Sequence, residues 1–540
     1  MSSPPQSDRR RNWWGWGWED QALDDATARK LCAGVAAAFG VDVPLADPPE
    51  LDDLDLPAPR IRPPAALMSL VDDTPYARAS HTFGKSYRDV VRGFRGQLDH
   101  PPDLVARPVS EAQVLALLDW CSDAGVAAIP YGGGSSVVGG VEADVGDHFA
   151  GAISIDLTGL DRVLEIDPVS RAARIQAGAL GPVLEDQLRP HGYTLRHFPQ
   201  SFEFSTLGGW LATRSGGHYA TVYTHIEDLV ESMRVVTPTG ISESARLPGS
   251  GAGPSPDRLF CGSEGSLGII TEAWMRLQDR PQWKVSAGAH FADLATGADA
   301  VRALSQSALF PTNCRLLDPT EALTGAGVDD GSALLVLGFE SADHPVDPWM
   351  DRALELVADH GGTVPAGVRR SGPDDRAGAD GAVGAWRTSF LRAPYGRDAL
   401  VRMSAIVETF ETACTWDRFA DLHATVTETA RRAMDEICGP GGWITCRFTH
   451  VYPDGPAPYF SVIAPGRPGS EVAMWDELKA AFGDALAAAG GTITHHHAVG
   501  RDHHRWYRRQ RPEPVGRVLA AAKDAVDPAG ILNPGVISTL

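Results

Sequence analysis

A chain of 540 residues has room for two or three packed units at roughly 100–200 residues each, and 43% hydrophobic with 22% charged residues is a globular balance that excludes disorder, collagen and coiled coil. Lys and Arg number 48 against 69 Asp and Glu, a net charge of −21, which repels nucleic-acid phosphate and anionic lipid heads. The seven cysteines (32, 121, 261, 314, 414, 438 and 446) follow no CxxC spacing, so neither a disulfide framework nor a structural zinc site is expected, and a reducing, cytoplasmic location fits.

Residues 1–98 read as an N-terminal extension packing on the body. Met1 to Trp18 carries arginines but no apolar h-region, so it is not a secretory signal. The four tryptophans of Asn12 to Asp20, NWWGWGWED, are suited to clamp this tail into a groove. Pro and Asp dominate from Val43 to Pro64, a linker-like stretch.

Residues 99–282 have the texture of a compact α+β unit. Ser110 to Gln113 has capping-box spacing, and Val114, Leu117, Leu118 and Cys121 recur at helical period up to Gly125. Val126 to Pro130 is a short apolar strand. Val163–Ile166 and Ala173–Ala177 read as a hairpin, and Gly181–Leu188 as a helix. The longest uncharged stretch, Ala124 to Val141, is too rich in glycine to span a bilayer. Residues 283–500 form a second unit, with an exposed low-complexity loop at Ser371–Gly381, and residues 501–540 a helical C-terminal segment including Val515–Val526. Ser538-Thr539-Leu540 is not the SKL peroxisomal address.

Three glycine clusters lie in the first unit: Pro130–Ser136 (PYGGGSS), Gln200–Gly209 (QSFEFSTLGG) and Gly262–Thr271 (GSEGSLGIIT). Backbone without a Cβ can turn several N–H groups toward one point, forming a nest that neutralises a pyrophosphate without lysine. Ser135, Ser136, Ser205 and Thr206 add hydroxyl donors. No GxGxxG follows a strand and no GxxxxGK[ST] occurs, so neither a Rossmann site nor a P-loop is indicated. One such cluster alone reads as a turn; three in one unit point to an anion-binding cradle.

Those clusters, with EFSTLGGWLATRSGG, THIEDLV and VVTPTG, resemble the FAD domain of the vanillyl-alcohol-oxidase (p-cresol methylhydroxylase type) flavoproteins, and within them are most similar to the alkyldihydroxyacetonephosphate synthases. The resemblance implies an α+β fold: a two-part FAD-binding domain of that type and an α+β cap, or substrate, domain with an antiparallel sheet. It implies FAD held non-covalently, since no His in the first cluster offers a covalent link. The implied contacts are Pro130, Tyr131, Gly132, Gly133, Gly134, Ser135 and Ser136, then Gln200, Ser201, Phe202, Glu203, Phe204, Ser205 and Thr206. They continue at Thr213, Arg214, Ser215 and Gly216, and end at Glu264, Gly265, Ser266, Leu267, Gly268, Ile269 and Ile270.

In the second unit the likeness rests on Ala393–Asp398 (APYGRD), Glu408–Phe419 (ETFETACTWDRF), Thr445–Arg447 leading to Tyr452, Pro458–Phe460, and Gly490–Gly500 with His495, His496 and His497. The implied reaction exchanges the acyl group of acyl-dihydroxyacetone phosphate for a fatty alcohol, through a flavin N5 adduct and without net oxidation, as in ether-lipid synthesis. By the same resemblance Arg397 binds the leaving carboxylate and Arg315 the phosphate or the site's frame. Tyr459 handles the C1 proton, its pKa near 10 lowered by Arg or His⁺ neighbours. The histidines, His496 first, serve the incoming alcohol as base. Adjacent histidines in extended backbone do not converge on one metal, so no metal is assigned, although a surface His run remains an alternative. Taken without the resemblance, Tyr459 reads as a packed strand residue, and Arg397-Asp398 as a surface ion pair worth about 0–1 kcal/mol.

Relatives carry a long membrane-associated insert after the Arg-Leu-Leu-Asp strand; here only PTEALTGAGVDDGS separates Asp318 from the strand Ala333–Phe339. Membrane association is accordingly weak or absent, and the acyl-chain length or a different substrate stays open. A homodimer is implied by relatives. The alternative function is an FAD-dependent 2-hydroxy-acid oxidoreductase, in which arginine also clamps a carboxylate.

Overall fold

The computed structural model describes residues 9–40, 45–223, 225–372 and 382–537, with side chains from 392 onward in the last stretch. The readings made for the first eight residues, for 41–44, for the low-complexity loop at 373–381 and for the last three residues lie outside them.

Ser110 accepts a hydrogen bond from Gln113 N and opens the helix Glu111–Ala124, which Gly125 closes at φ 63°. The Gln113 side chain reaches Val109 N at 2.7 Å instead of Ser110 N, so only half of the capping box forms. Val114, Leu117, Leu118 and Cys121 are fully buried, and the helix lies against the strand Val126–Tyr131 that follows it. That strand is the edge of a four-stranded sheet in the order Val71–Asp72, Leu104–Ala106, Gly151–Asp156, Val126–Tyr131. Its last two pairings are parallel, which explains its continuous apolar run.

A five-stranded antiparallel sheet follows, ordered Val163–Asp167, Ala172–Gln176, Ile269–Arg276, Val230–Thr237 and Gly240–Glu243. The largest sheet has seven antiparallel strands: Val368–Ser371, Trp283–Phe291, Ala333–Ser341, Asn313–Leu317, Trp443–Val451, Pro456–Ala464 and Ile406–Glu411. Helices Leu294–Gln306, Asp347–Asp359 and Phe419–Ile437 bury apolar stripes against it.

Trp13, Trp14, Trp16 and Trp18 are all buried, in one cluster with the core of the seven-stranded sheet. Glycine makes the strap flat: a Cβ at Gly17, where φ is 72°, would fall 2.4 Å from Tyr395 Oη. At the other end the chain returns to the four-stranded sheet, where Ala128 N donates to Ile531 O and Asn533 N to Ala128 O. Asn533 Nδ2 then donates to Gly140 O at 2.9 Å and Glu264 O at 2.7 Å, tying two glycine loops together.

Candidate active site

The strand Val126–Tyr131 delivers Gly132, Gly133 and Gly134 to the mouth of a cavity of about 680 Å3. A Cβ on Gly133 would lie 1.6 Å from Phe204 O, so this loop packs backbone to backbone on the second glycine cluster. Pro130 to Ser136 all line the cavity, as do Gln200, Ser201, Ser205, Thr206, Thr213, Ser215, Gly216, Glu264, Gly265, Gly268, Ile269 and Ile270. Contiguity in sequence does not carry the rest. Phe202 stacks on Trp210, Glu203 accepts from Trp18 Nε1 at 3.1 Å, and Phe204 lies in the core. Arg214 ends a helix and pairs with Glu227 at 2.7 Å; Ser266 donates to Ser263 O and Leu267 is core. These six pack around the cradle and are not among the residues that line the cavity. The Ser205 hydroxyl is also spent locally, donating to Ser201 O and accepting from Trp210 Nε1.

The seven-stranded sheet supplies the opposite wall. Tyr459 is the register partner of Arg447 on one side and of Glu411 on the other, so three residues far apart in sequence stand in one row on one face. The Arg447 guanidinium lies 3.9 Å from the centre of the Tyr459 ring and donates to Glu321 at 2.7 Å. Arg315, on the neighbouring strand, also lines the cavity. Burial, and then Arg447, push it down to about 9. Tyr459 is 4% exposed. Burial raises its phenol and Arg447 only partly opposes this, the reverse of the lowering expected from Arg or His⁺ neighbours. The hairpin carrying Arg447 and Tyr459 turns at Gly455, where a Cβ would meet Cys414 O at 1.9 Å.

Glu411 organises the histidine turn. Its carboxylate accepts His495 N at 2.6 Å, His496 N at 3.1 Å, His497 N at 2.9 Å and Thr494 Oγ1 at 2.6 Å. Burial would raise this carboxyl, but His496 first among its neighbours outweighs that and holds it well below the carboxylate range, in keeping with the ring of N–H donors. His496 and His497 line the cavity, whereas His495 does not; it stands next to His496, Nδ1 to Nδ1 at 3.2 Å. His450, from the strand Trp443–Val451, joins them, and nitrogens of His450, His495 and His496 come within 4.8 Å of one another. Hydrogen bonds engage them: His450 Nε2 with Gly217 O, His450 Nδ1 with Thr449 Oγ1, and His495 Nε2 with Tyr452 Oη. The three histidines thus form one hydrogen-bonded network, at a spacing that a metal ion could also use.

Arg397 and Asp398 do not pair on the surface. Both sit in the helix Ala382–Arg402; Arg397 lines the cavity, donates to Lys85 O and lies 5.3 Å from the Trp16 ring. Asp398 faces the strap and accepts Trp16 N at 2.7 Å. The lining also has an apolar arm: Leu400, Leu23, Val407 and Ile463, which pack in one cluster, together with Leu31.

Residues 102–244 match the family described as "FAD binding domain", and residues 280–537 match "FAD linked oxidases, C-terminal domain". A relative from Dictyostelium discoideum, alkyldihydroxyacetonephosphate synthase, is 33% identical over 476 residues, covering 86% of this chain and 77% of its own. The chain belongs to the alkyldihydroxyacetonephosphate synthase family. A solved alkyldihydroxyacetonephosphate synthase structure superposes with a TM-score of 0.80 at 29% identity, over 97% of this chain and 98% of that one. p-Cresol methylhydroxylase with substrate bound shares the fold, with a TM-score of 0.64 at 15% identity over 95% and 97% of the two chains. FAD is the cofactor of this synthase-family protein, and the cradle fits it: glycine loops from two sheets converge on one elongated cavity whose far wall carries the titratable row.

Proposed function

We propose that the protein exchanges the acyl group of acyl-dihydroxyacetone phosphate for the alkoxy group of a fatty alcohol, making an ether. The bound flavin supplies the nucleophilic centre for that exchange; the side chains around it bind, orient and move protons. Arg315 and Arg447 are the cations suited to the substrate phosphate, and His218 lines the same cavity. Arg397 offers a planar guanidinium to the departing carboxylate. Tyr459 takes one hydrogen of the reacting carbon as a proton and returns it to the same carbon later, and His496 takes the proton of the incoming alcohol.

One observation carries this reading over a hydroxy-acid oxidoreductase: the apolar arm begins one helical turn from Arg397, since Leu400 shares its helix face and both line the cavity. A carboxylate clamp opening directly onto an apolar passage suits a fatty acid and serves no purpose for a small hydroxy acid. The arm also answers for the missing insert, because Leu23 and Leu31 of the N-terminal extension supply its wall. Among the described residues no helix is long and apolar enough to cross a membrane. A reducing, cytoplasmic setting, supported by seven free cysteines, and a homodimer belong to the same reading.

Anaerobic mixing tests it. With acyl-dihydroxyacetone phosphate and hexadecanol, fatty acid release and ether formation are expected without lasting loss of flavin colour. Lasting bleaching by a 2-hydroxy acid, with no fatty acid released from the phosphate substrate, overturns it.

A further inference from the structure

The proposed exchange liberates one proton per turnover. Ester and alcohol give ether and fatty acid; at neutral pH the acid departs as carboxylate, and the alcohol's proton has to reach water from an enclosed wall of buried strands. The need for an exit route rests on that reading of the reaction.

His496 faces the cavity, and its Nδ1 lies 3.2 Å from His495 Nδ1. The opposite nitrogen of His495, Nε2, lies 2.7 Å from Tyr452 Oη. That hydroxyl in turn lies 2.7 Å from His225 Nε2. Tyr452 also lines a second cavity of about 550 Å3, open to the surface and bordered by Asp417, Arg418 and Asp454, which shares no residue with the first. His225 is itself part-exposed. A single file of hydrogen-bonding groups thus connects the reaction cavity with water.

We propose that His495, Tyr452 and His225 form a proton relay carrying the proton taken up by His496 out of the reaction cavity. A neutral imidazole has one donor and one acceptor nitrogen and passes a proton by accepting on one and releasing from the other. One assignment of hydrogens satisfies the three contacts of the file: Nδ1–H on His496, which also lies 3.4 Å from Glu411 Oε2, Nε2–H on His495, and the phenolic hydrogen directed to His225 Nε2. His496 then accepts the alcohol's proton at Nε2 and gives its Nδ1 proton to His495. His495 gives its Nε2 proton to Tyr452, and Tyr452 gives its own to His225 or to water in the surface cavity. Only N–H and O–H bonds form and break, one of each kind per hop, and no oxidant or reductant enters.

Burial keeps the file neutral, as a relay requires. Desolvation pushes His495 down to about 3 and lowers His225; it raises Tyr452. None of the three lines the reaction cavity, so they act through His496.

The test uses the FAD-loaded protein. The unsubstituted enzyme must first release fatty acid from acyl-dihydroxyacetone phosphate; failure there removes the proposed reaction itself, whatever the variants do. Given turnover, Tyr452→Phe is expected to keep its flavin and KM while kcat falls about tenfold or more, with a larger solvent deuterium isotope effect. Imidazole buffer, small enough to enter the surface cavity, is expected to restore kcat in proportion to its concentration. An unchanged kcat, or a loss that imidazole leaves untouched, overturns the relay. Should Tyr452→Phe lose its flavin, the part-exposed His225→Gln decides by the same imidazole titration.

Discussion

Glu411 does not line the cavity, yet the positions of His496 and His497, which do, depend on it. Its two oxygens accept three consecutive main-chain N–H groups and the Thr494 hydroxyl, so the turn His495–His497 is folded around one carboxylate. The carboxyl ionises more readily in the folded protein than its ordinary value of 4.5. Its contribution is therefore complete above that value and is lost as the pH falls below it. Glu411→Gln is expected to cost about 2 kcal/mol at pH 7, measured by urea unfolding, with the two proteins converging below pH 4. A constant difference across that range would show that the charge is not what matters. Arg447 teaches a related lesson: its motif is visible in sequence, but its partnership with Tyr459 depends on a cross-strand register that no local pattern encodes.

Among elements, the tryptophan strap is the one whose role reaches furthest. Its indoles join the core of the seven-stranded sheet, and Trp16 both lines the cavity and lies against the Arg397 guanidinium. Trp16→Ala is expected to destabilise the fold by about 3–5 kcal/mol and to raise KM for the acyl substrate while FAD remains bound. Denaturant midpoints and steady-state kinetics check both halves; an unchanged KM would confine Trp16 to packing. The tryptophans announce a clamp because four aromatics in so short a stretch have to be buried somewhere. The helix Asp25–Phe39 behind them carries a weaker signal, and its Leu31 wall of the apolar arm is not legible because it faces a cavity formed by distant residues.

For the molecule as a whole, the cavity is shared by all three larger sheets and by the strap, so filling it stabilises everything at once. Stripping FAD with acid ammonium sulfate, which a non-covalent cofactor permits, is expected to lower Tm in one cooperative step. Restoring FAD at a hundred times its Kd returns about 2.7 kcal/mol. A protein that stays colourless and whose Tm ignores added FAD would contradict the cradle. Its glycine loops are readable because a nest is local: consecutive glycines, hydroxyls and a strand end suffice. Phe202 to Phe204, Arg214, Ser266 and Leu267, which the motifs also offer, lie outside the cavity lining because which side of a loop a residue faces depends on distant packing.

The reversal at Gly455 has a consequence out of proportion to its size. No side chain fits there against Cys414 O, so any replacement pries the hairpin from its neighbour. A slip of one step would rotate Tyr459 outward and bring Phe460 or Pro458 into its place. The bend works as a vernier for the chemistry. Damage at a spot whose atoms meet neither lipid nor coenzyme would silence the enzyme while leaving its list of reactive groups intact.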